Sequence, residues 1–167
     1  MLYWNSVIKF IMKKILFVCL GNICRSPAAE GIFKQLVANE KLDGQFKIDS
    51  AGLLDYHEGE NYDSRMIKHA AKRGFNLEGT SRPFLPEDFK RFDVIIAMDK
   101  EVFETILGLD IEKESVSKVF KMTDFCSKKD YDEVPDPYYL GADGFELVLD
   151  ILEDACNGLL KKLKHDY

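Results

Sequence analysis

Apolar residues along this chain fall into short runs that alternate with helically spaced faces. The run Ile15-Leu16-Phe17-Val18 reads as a buried strand. Residues 28–37, Ala-Ala-Glu-Gly-Ile-Phe-Lys-Gln-Leu-Val, carry apolar positions at helical spacing. Ser26 is the predicted N-cap there, Pro27 the predicted first helical residue, and Glu30 sits where it favours the helix start. After a turn at Asp43-Gly44, Phe46–Gly52 alternates and predicts a second strand. A loop over 53–61 leads to a helix over 62–73, stopped by Gly74. The stretch to Pro86 is irregular, and Pro86-Glu87-Asp88-Phe89 opens a short helix. Residues 93–98 form a third, fully buried strand, and Asp99 is predicted to cap a helix ending near Gly108. Residues 117–122 predict a fourth strand. A polar loop then reaches Val134-Pro135-Asp136-Pro137-Tyr138-Tyr139, and residues 142–163 predict a long helix that Gly158 weakens near its end.

Strands alternating with helices imply a parallel sheet covered on both faces. Ligands in such sheets bind beyond the carboxyl ends of the strands, at the switch point, and the first strand runs into a loop at that end. There is no internal repeat, low-complexity linker or second domain. The domain is expected over 13–167. Residues 1–12 carry Tyr3, Trp4, Val7, Ile8, Phe10 and Ile11, interrupted by Asn5, Ser6 and Lys9. That pattern offers no membrane-spanning stretch and does not suit a secretory signal. It reads as an N-terminal extension, either an upstream start or a flexible tail, with an amphipathic membrane contact as the alternative.

Composition narrows the classes. A chain of 167 residues fits one domain with a substantial core, and its 46 % hydrophobic and 31 % charged residues are those of a soluble globular protein. A net charge of -6 argues against general nucleic-acid binding, although a phosphate pocket can still be locally positive. Four cysteines are too few for a secreted disulfide scaffold. Cys19 and Cys24 have no matching second pair, so zinc is not expected. A free thiol at the centre of the chemistry favours a reducing cytoplasm.

The candidate chemistry lies in Val18-Cys19-Leu20-Gly21-Asn22-Ile23-Cys24-Arg25-Ser26-Pro27, which joins the first strand to the first helix. Backbone N–H groups of such a loop can converge on an anion, with the helix dipole adding positive charge. Gly21 lets the backbone turn tightly and approach a ligand. Arg25 offers a planar fork to two oxygens of a phosphate. The same field favours a nucleophilic thiolate at Cys19. A cysteine, five residues and Arg-Ser form the signature of cysteine-dependent phosphatases. The full ten-residue string, close to the N-terminus and followed by Ala-Ala-Glu, closely resembles the low-molecular-weight protein tyrosine phosphatases. The resemblance spans residues 13–163.

That resemblance implies an α/β, three-layer flavodoxin-like (Rossmann-like) fold, with a four-stranded parallel sheet of order 2-1-3-4 and helices on both faces. It implies hydrolysis of phosphotyrosine, and of small aryl phosphates, with Cys19 as nucleophile and Arg25 as phosphate clamp. It implies a cysteinyl-phosphate on Cys19, formed in a first step and hydrolysed in a second with Asp136 as acid and then base, and neither step calls for a metal or a cofactor. The leaving group needs a proton donor. The family places its acid in a late Asp-Pro-Tyr or Asp-Pro-Phe motif, which stands here as Asp136-Pro137-Tyr138, stiffened by a proline on each side. Leu20, Gly21, Asn22, Ile23, Cys24 and Ser26 are expected around the phosphate. Ser26 is expected to donate to the Cys19 sulfur, alongside its capping role. Asn22 is expected to fix the loop, with Ser50 near it by resemblance. Tyr56 and Tyr138 take the places of aromatic walls that sandwich a phenyl ring. Asp99 and Arg82 match structural positions.

Two departures from the family stand out. Gly79 occupies a position where many relatives carry a loop-supporting histidine, and Leu53-Leu54-Asp55 replaces commoner small polar residues. None of His57, His69 and His165 is assigned a catalytic role. Cys24 is expected to form a reversible disulfide with Cys19 or else to be a small buried residue. Tyr138 and Tyr139 are themselves conceivable phosphorylation targets, although nothing in the chain identifies a kinase. The expected partners are phosphotyrosine proteins and a phosphate-like oxyanion, met by a monomer with no nucleic acid and no membrane span. Three other readings share the loop. A thioredoxin-coupled arsenate reductase needs a relay cysteine that residues 79–98 lack. A protein arginine phosphatase tends to have threonine in place of Ile23. A phosphotyrosine-binding module would need neither the thiolate nor the acid.

Overall fold

The computed structural model describes residues 11–166; residues 1–10 of the expected extension, and Tyr167, lie outside the described residues. Four parallel strands form one sheet in the order β2-β1-β3-β4. They are β1 (Lys13–Cys19), β2 (Phe46–Gly52), β3 (Val94–Ala97) and β4 (Val119–Lys121). The helices are α1 (Arg25–Asn39), α2 (Ser64–Lys72), α3 (Asp88–Arg91), α4 (Lys100–Leu109) and α5 (Ala142–His165). This is the expected flavodoxin-like arrangement.

Strand alternation divides the core in two. Ile15, Phe17, Cys19, Val94 and Ile96 face α1, α2 and α5, with Phe33, Met66 and Leu152 among their buried neighbours. Leu16, Val18, Ile95 and Ala97 face α4 and the segment around Phe84, Phe89 and Phe92. Each fully buried Phe or Ile contributes about 1.5–3 kcal/mol relative to exposure. The sheet is apolar on both faces because helices cover both, which is why β1 and β3 read as continuous apolar runs. Cys19, the last residue of β1, lands on the α1 and α5 side at the carboxyl edge of the sheet. There β2 lies on one side of β1 and β3 on the other.

Several element ends differ from the expectation. Helix α1 begins at Arg25, with Cys24 rather than Ser26 at the N-cap position and no side-chain capping bond. The Ser26 hydroxyl is engaged inside the loop instead. Helix α2 starts two residues late because Asp63 caps it, accepting from Arg65 N at 2.8 Å and Met66 N at 3.4 Å. The fourth strand shrinks to three residues, since turns at Val116–Lys118 and Met122–Phe125 take its ends. Asp124 accepts the Lys121 N–H at 3.1 Å, and Lys118 Nζ donates to Phe92 O at 3.1 Å. Helix α5 runs through Gly158 to His165. A Cβ on Gly158 would stand 1.9 Å from Phe125 O, so this glycine admits the neighbouring turn, and the helix continues two residues beyond the expected 163.

Candidate active site

The Cys19 loop wraps a point above the end of β1. Its carbonyls are tied outward. Cys19 O accepts from Leu53 N at 3.0 Å, Leu20 O from Leu54 N at 2.9 Å and Ile23 O from Asp63 N at 2.9 Å. Gly21 O accepts from Ser81 Oγ at 3.0 Å. In a planar trans peptide the N–H opposes the C=O, so the following amides turn toward the concave side. The Asn22 N–H does so visibly, donating to Cys19 Sγ at 3.2 Å. The left-handed residue is Asn22 at φ 53°, a region asparagine tolerates, while Gly21 beside it lies in a bend of the loop and lines the cavity. Gly52 is what lets the loop sit so close to β2, since a Cβ there would stand 2.9 Å from Asn22 N.

Behind the loop runs a buried chain of hydrogen bonds with a fixed direction. Asn22 Oδ1 accepts from Arg82 N at 2.9 Å, which fixes the amide orientation. Asn22 Nδ2 then donates to Ser26 Oγ at 2.9 Å and Ser50 Oγ at 3.0 Å. Ser50 passes its proton toward Glu30 Oε2 at 2.5 Å. Ser26 Oγ, accepting from Asn22, lies 3.0 Å from Cys19 Sγ and 3.4 Å from Ala51 O, two acceptors for its one proton; toward a thiolate it donates to the sulfur. Ser50 stands beside Asn22, as the resemblance implied. Glu30, read from the sequence only as favouring a helix start, is the buried carboxylate that ends this chain. At the Gly79 departure, the Tyr62 hydroxyl lies 2.9 Å from where a side chain would begin, so Tyr62 fills the space. Burial, then Glu30, pushes the Tyr62 phenol up to about 12.

Arg25 is almost fully buried and held by Asp99, which follows the neighbouring strand β3, and by the loop that carries Val134. Its Nη1 donates to Asp99 Oδ2 at 2.6 Å and to Val134 O at 3.1 Å. Its Nη2 lies 3.6 Å from Asp136 Oδ2. Burial opposes the guanidinium's charge, but Cys19, Asp99 and Asp136 outweigh it and raise its pKa above the ordinary arginine value. Asp99 also caps α4, accepting from Val102 N at 2.8 Å. Arg82 bridges Asp49 Oδ2 and Asp88 Oδ2, each at 2.9 Å, away from the cavity.

Cys19, Leu20, Gly21, Ile23, Cys24 and Arg25 form the floor of a cavity of about 440 Å³. Asp136, Tyr56 and Tyr138 stand around its rim. Asn22 and Ser26 are not among its lining residues; both are fully buried behind it. Leu54, which belongs to the departure at residues 53–55, also lines the cavity, as do His57 and Tyr139, which were not anticipated there. His57 follows Tyr56 directly in the loop, its ring edge-on to the tyrosine and its Nδ1 2.7 Å from Glu60 Oε2. Asp136 Oδ1 accepts from Tyr138 N at 3.1 Å, which folds the Asp-Pro-Tyr loop over the cavity.

Burial acts on the three thiols beyond Cys19 in the same direction. Burial, then Asp63 and Cys19, pushes the Cys24 thiol up. Burial likewise raises Cys156, and it lifts Cys126 to about 11. Among the described residues, no group of three or more His, Cys, Asp or Glu side chains gathers as a metal site. No helix among them is long and apolar enough to cross a membrane.

A parallel α/β sheet with a cysteine-to-arginine loop at its switch point, facing a carboxylate across one cavity, defines a class of small cysteine-loop phosphatases. A family model for the low molecular weight phosphotyrosine protein phosphatases matches residues 14–167. The chain belongs to that family and is a phosphatase. It is similar to a crystal structure of a protein tyrosine phosphatase from Entamoeba histolytica with Hepes in the active site. The identity is 49 % and the TM-score 0.90, covering 92 % of this chain and 98 % of that one. It is 36 % identical over 156 residues to the low molecular weight protein-tyrosine-phosphatase YfkJ of Bacillus subtilis, covering 93 % of this chain and 98 % of the relative. The low molecular weight phosphotyrosine protein phosphatase 2 of Drosophila melanogaster is 35 % identical over 151 residues, covering 90 % and 92 %.

Proposed function

We propose that this protein hydrolyses phosphotyrosine through a cysteinyl-phosphate on Cys19. The observation that carries the reading is convergence: Cys19, Arg25 and Asp136 line one cavity, with hydrogen-bond donors already aimed at the sulfur. In the first step Cys19 Sγ attacks phosphorus in line while the P–O(aryl) bond breaks. Arg25 and the inward amides hold the three remaining oxygens. Asp136 delivers its proton to the departing phenolate oxygen. In the second step the Asp136 carboxylate takes a proton from water, whose oxygen attacks phosphorus. The S–P bond breaks and Cys19 leaves as a thiolate, eased by the Ser26 hydroxyl.

Tyr56, 82 % exposed, and Tyr138 flank the opening and suit a flat phenyl ring. Ile23 and Leu54 add apolar surface that favours an aryl phosphate over a phosphorylated arginine. The relatives' names, and Hepes with its sulfonate in the Entamoeba structure, support an oxyanion site for phosphotyrosine proteins. All the groups named come from one chain, so a monomer suffices, and a thiol nucleophile suits the reducing cytoplasm. The test is the initial rate of p-nitrophenyl phosphate hydrolysis near pH 6 with EDTA present. The parent should turn over, Cys19→Ser should be inactive, and Asp136→Ala should be slowed by about a hundredfold or more. An inert, correctly folded parent would sink the reading.

A further inference from the structure

The Asp136 loop is gripped at two ends by two different arginines. Arg25 holds its entry through Val134 O. Its exit is held by Arg65, the second residue of α2, whose Nη1 donates to Tyr138 O at 3.1 Å. The Arg65 guanidinium also lies 5.1 Å from the centre of the Tyr138 ring and 4.9 Å from that of Phe145 on α5. Two more of its donors are fixed by the α2 cap: Nε to Asp63 Oδ1 at 3.1 Å and Nη2 to Asp63 Oδ2 at 2.8 Å. Asp63 in turn donates its backbone N–H to Ile23 O in the phosphate loop. A continuous path therefore runs from the phosphate loop through Asp63 and Arg65 to Tyr138, whose N–H holds Asp136 Oδ1.

We propose that Arg65 is a positioning residue for the general acid, setting the distance of the Asp136 carboxyl from the leaving-group oxygen by clamping Tyr138. The inference rests on the reading of Asp136 as the acid. A planar fork serves this role where a lysine would not. One edge of the guanidinium pairs with a carboxylate, the other reaches a carbonyl, and its face covers two rings. Half of the Arg65 side chain is open to solvent, so an ion pair there adds little stability; what it adds is geometry.

A loss of acid positioning has a signature that general loosening lacks. It harms substrates whose leaving group needs a proton and spares those whose leaving group departs as an anion. The experiment measures kcat/KM for phenyl phosphate and dinitrophenyl phosphate, and inhibition by inorganic phosphate. The proteins are the parent, Arg65→Ala, Arg65→Lys, Asp136→Ala and the Arg65→Ala/Asp136→Ala double variant, with thermal unfolding recorded for each.

Arg65→Ala is expected to lose about tenfold on phenyl phosphate and to stay within about twofold on dinitrophenyl phosphate and in phosphate affinity. Arg65→Lys should recover only part of the loss. In the Asp136→Ala background, removing Arg65 should cost nothing further on phenyl phosphate. Equal losses on both substrates, or an Arg65 effect that persists without Asp136, would overturn the inference. If Asp136→Ala itself shows no leaving-group dependence, the acid assignment falls first and takes this inference with it. If Arg65→Ala does not fold, Arg65→Lys is read by the same criteria.

Discussion

Arg25 and Asp99, 74 positions apart, meet at 2.6 Å with both side chains largely buried. The contact ties the loop after β1 to the loop after β3, so the two strands at the sheet's centre jointly aim the guanidinium into the cavity. Asp99 also caps α4 with its other oxygen, which roots the aim in a helix.

Replacing Asp99 should therefore loosen the clamp without touching substrate. Asp99→Asn keeps a capping oxygen and removes the charge; kcat/KM for p-nitrophenyl phosphate should fall about ten- to a hundredfold. Asp99→Ala also strands the buried Arg25 charge and should cost about 3 kcal/mol or more in denaturant unfolding. Wild-type activity in Asp99→Asn would show that Arg25 holds its position without this partner.

Ser26 supplies the hydroxyl proton nearest the Cys19 sulfur. Its value is greatest when the sulfur leaves as a thiolate, in the second step. Ser26→Ala should lower kcat by about ten- to a hundredfold and kcat/KM by less, because the first step does not expel the thiolate. Rapid-quench measurement should show the variant accumulating phosphoenzyme. Equal falls in both constants would place the effect on loop structure instead.

These pairings explain what was legible in the chain. Strands β1 and β3, the Cys19 loop and the Asp136 motif could be read because their signals are local: an apolar run, a fixed spacing, two prolines around an aspartate. The order β2-β1-β3-β4 followed from the resemblance those strings carry. Asn22 as the left-handed residue was hidden because Gly21, beside it, is the commoner candidate. Glu30 and Ser50 were hidden as a pair because twenty positions separate them and nothing in spacing marks a buried carboxylate as the end of a hydrogen-bond chain. The capping expectation at Ser26 failed for a related reason: a hydroxyl that turns back to Cys19 and Asn22 is unavailable to the helix end. His57 and Leu54 reach the cavity through a loop whose path has no periodicity to read.

Stability should fall in alkali. Burial raises the Cys24 and Cys156 thiols above the ordinary value of 9.0. Below pH 9 both states keep these protons, so the groups have no effect. Above it the unfolded chain loses protons that the native state retains, and unfolding is favoured by up to about 1.4 kcal/mol per pH unit for each thiol. Urea unfolding between pH 8 and about pH 10 should show this slope, and Cys156→Ser should flatten it. A slope unchanged in that variant would assign the effect to other groups.

Cys19 and Cys24 line the same cavity and are free thiols in this structure. Peroxide should oxidise Cys19 to a sulfenic acid, and the Cys24 thiol should then displace water to form a disulfide. Dithiothreitol should restore activity fully in the parent. Cys24→Ser should go on to irreversible oxidation and recover much less; equal recovery would remove Cys24 from this role.

Transfer of the phosphoryl group to Cys19 is the central step of the proposed reaction. The most direct measurement is intact and peptide mass spectrometry of the protein acid-quenched during steady turnover of a phosphotyrosine peptide. The expected result is the added mass of one phosphoryl group on the peptide containing Cys19, and none in Cys19→Ser, which should also be inactive. Turnover without that adduct, continuing in Cys19→Ser, would contradict it.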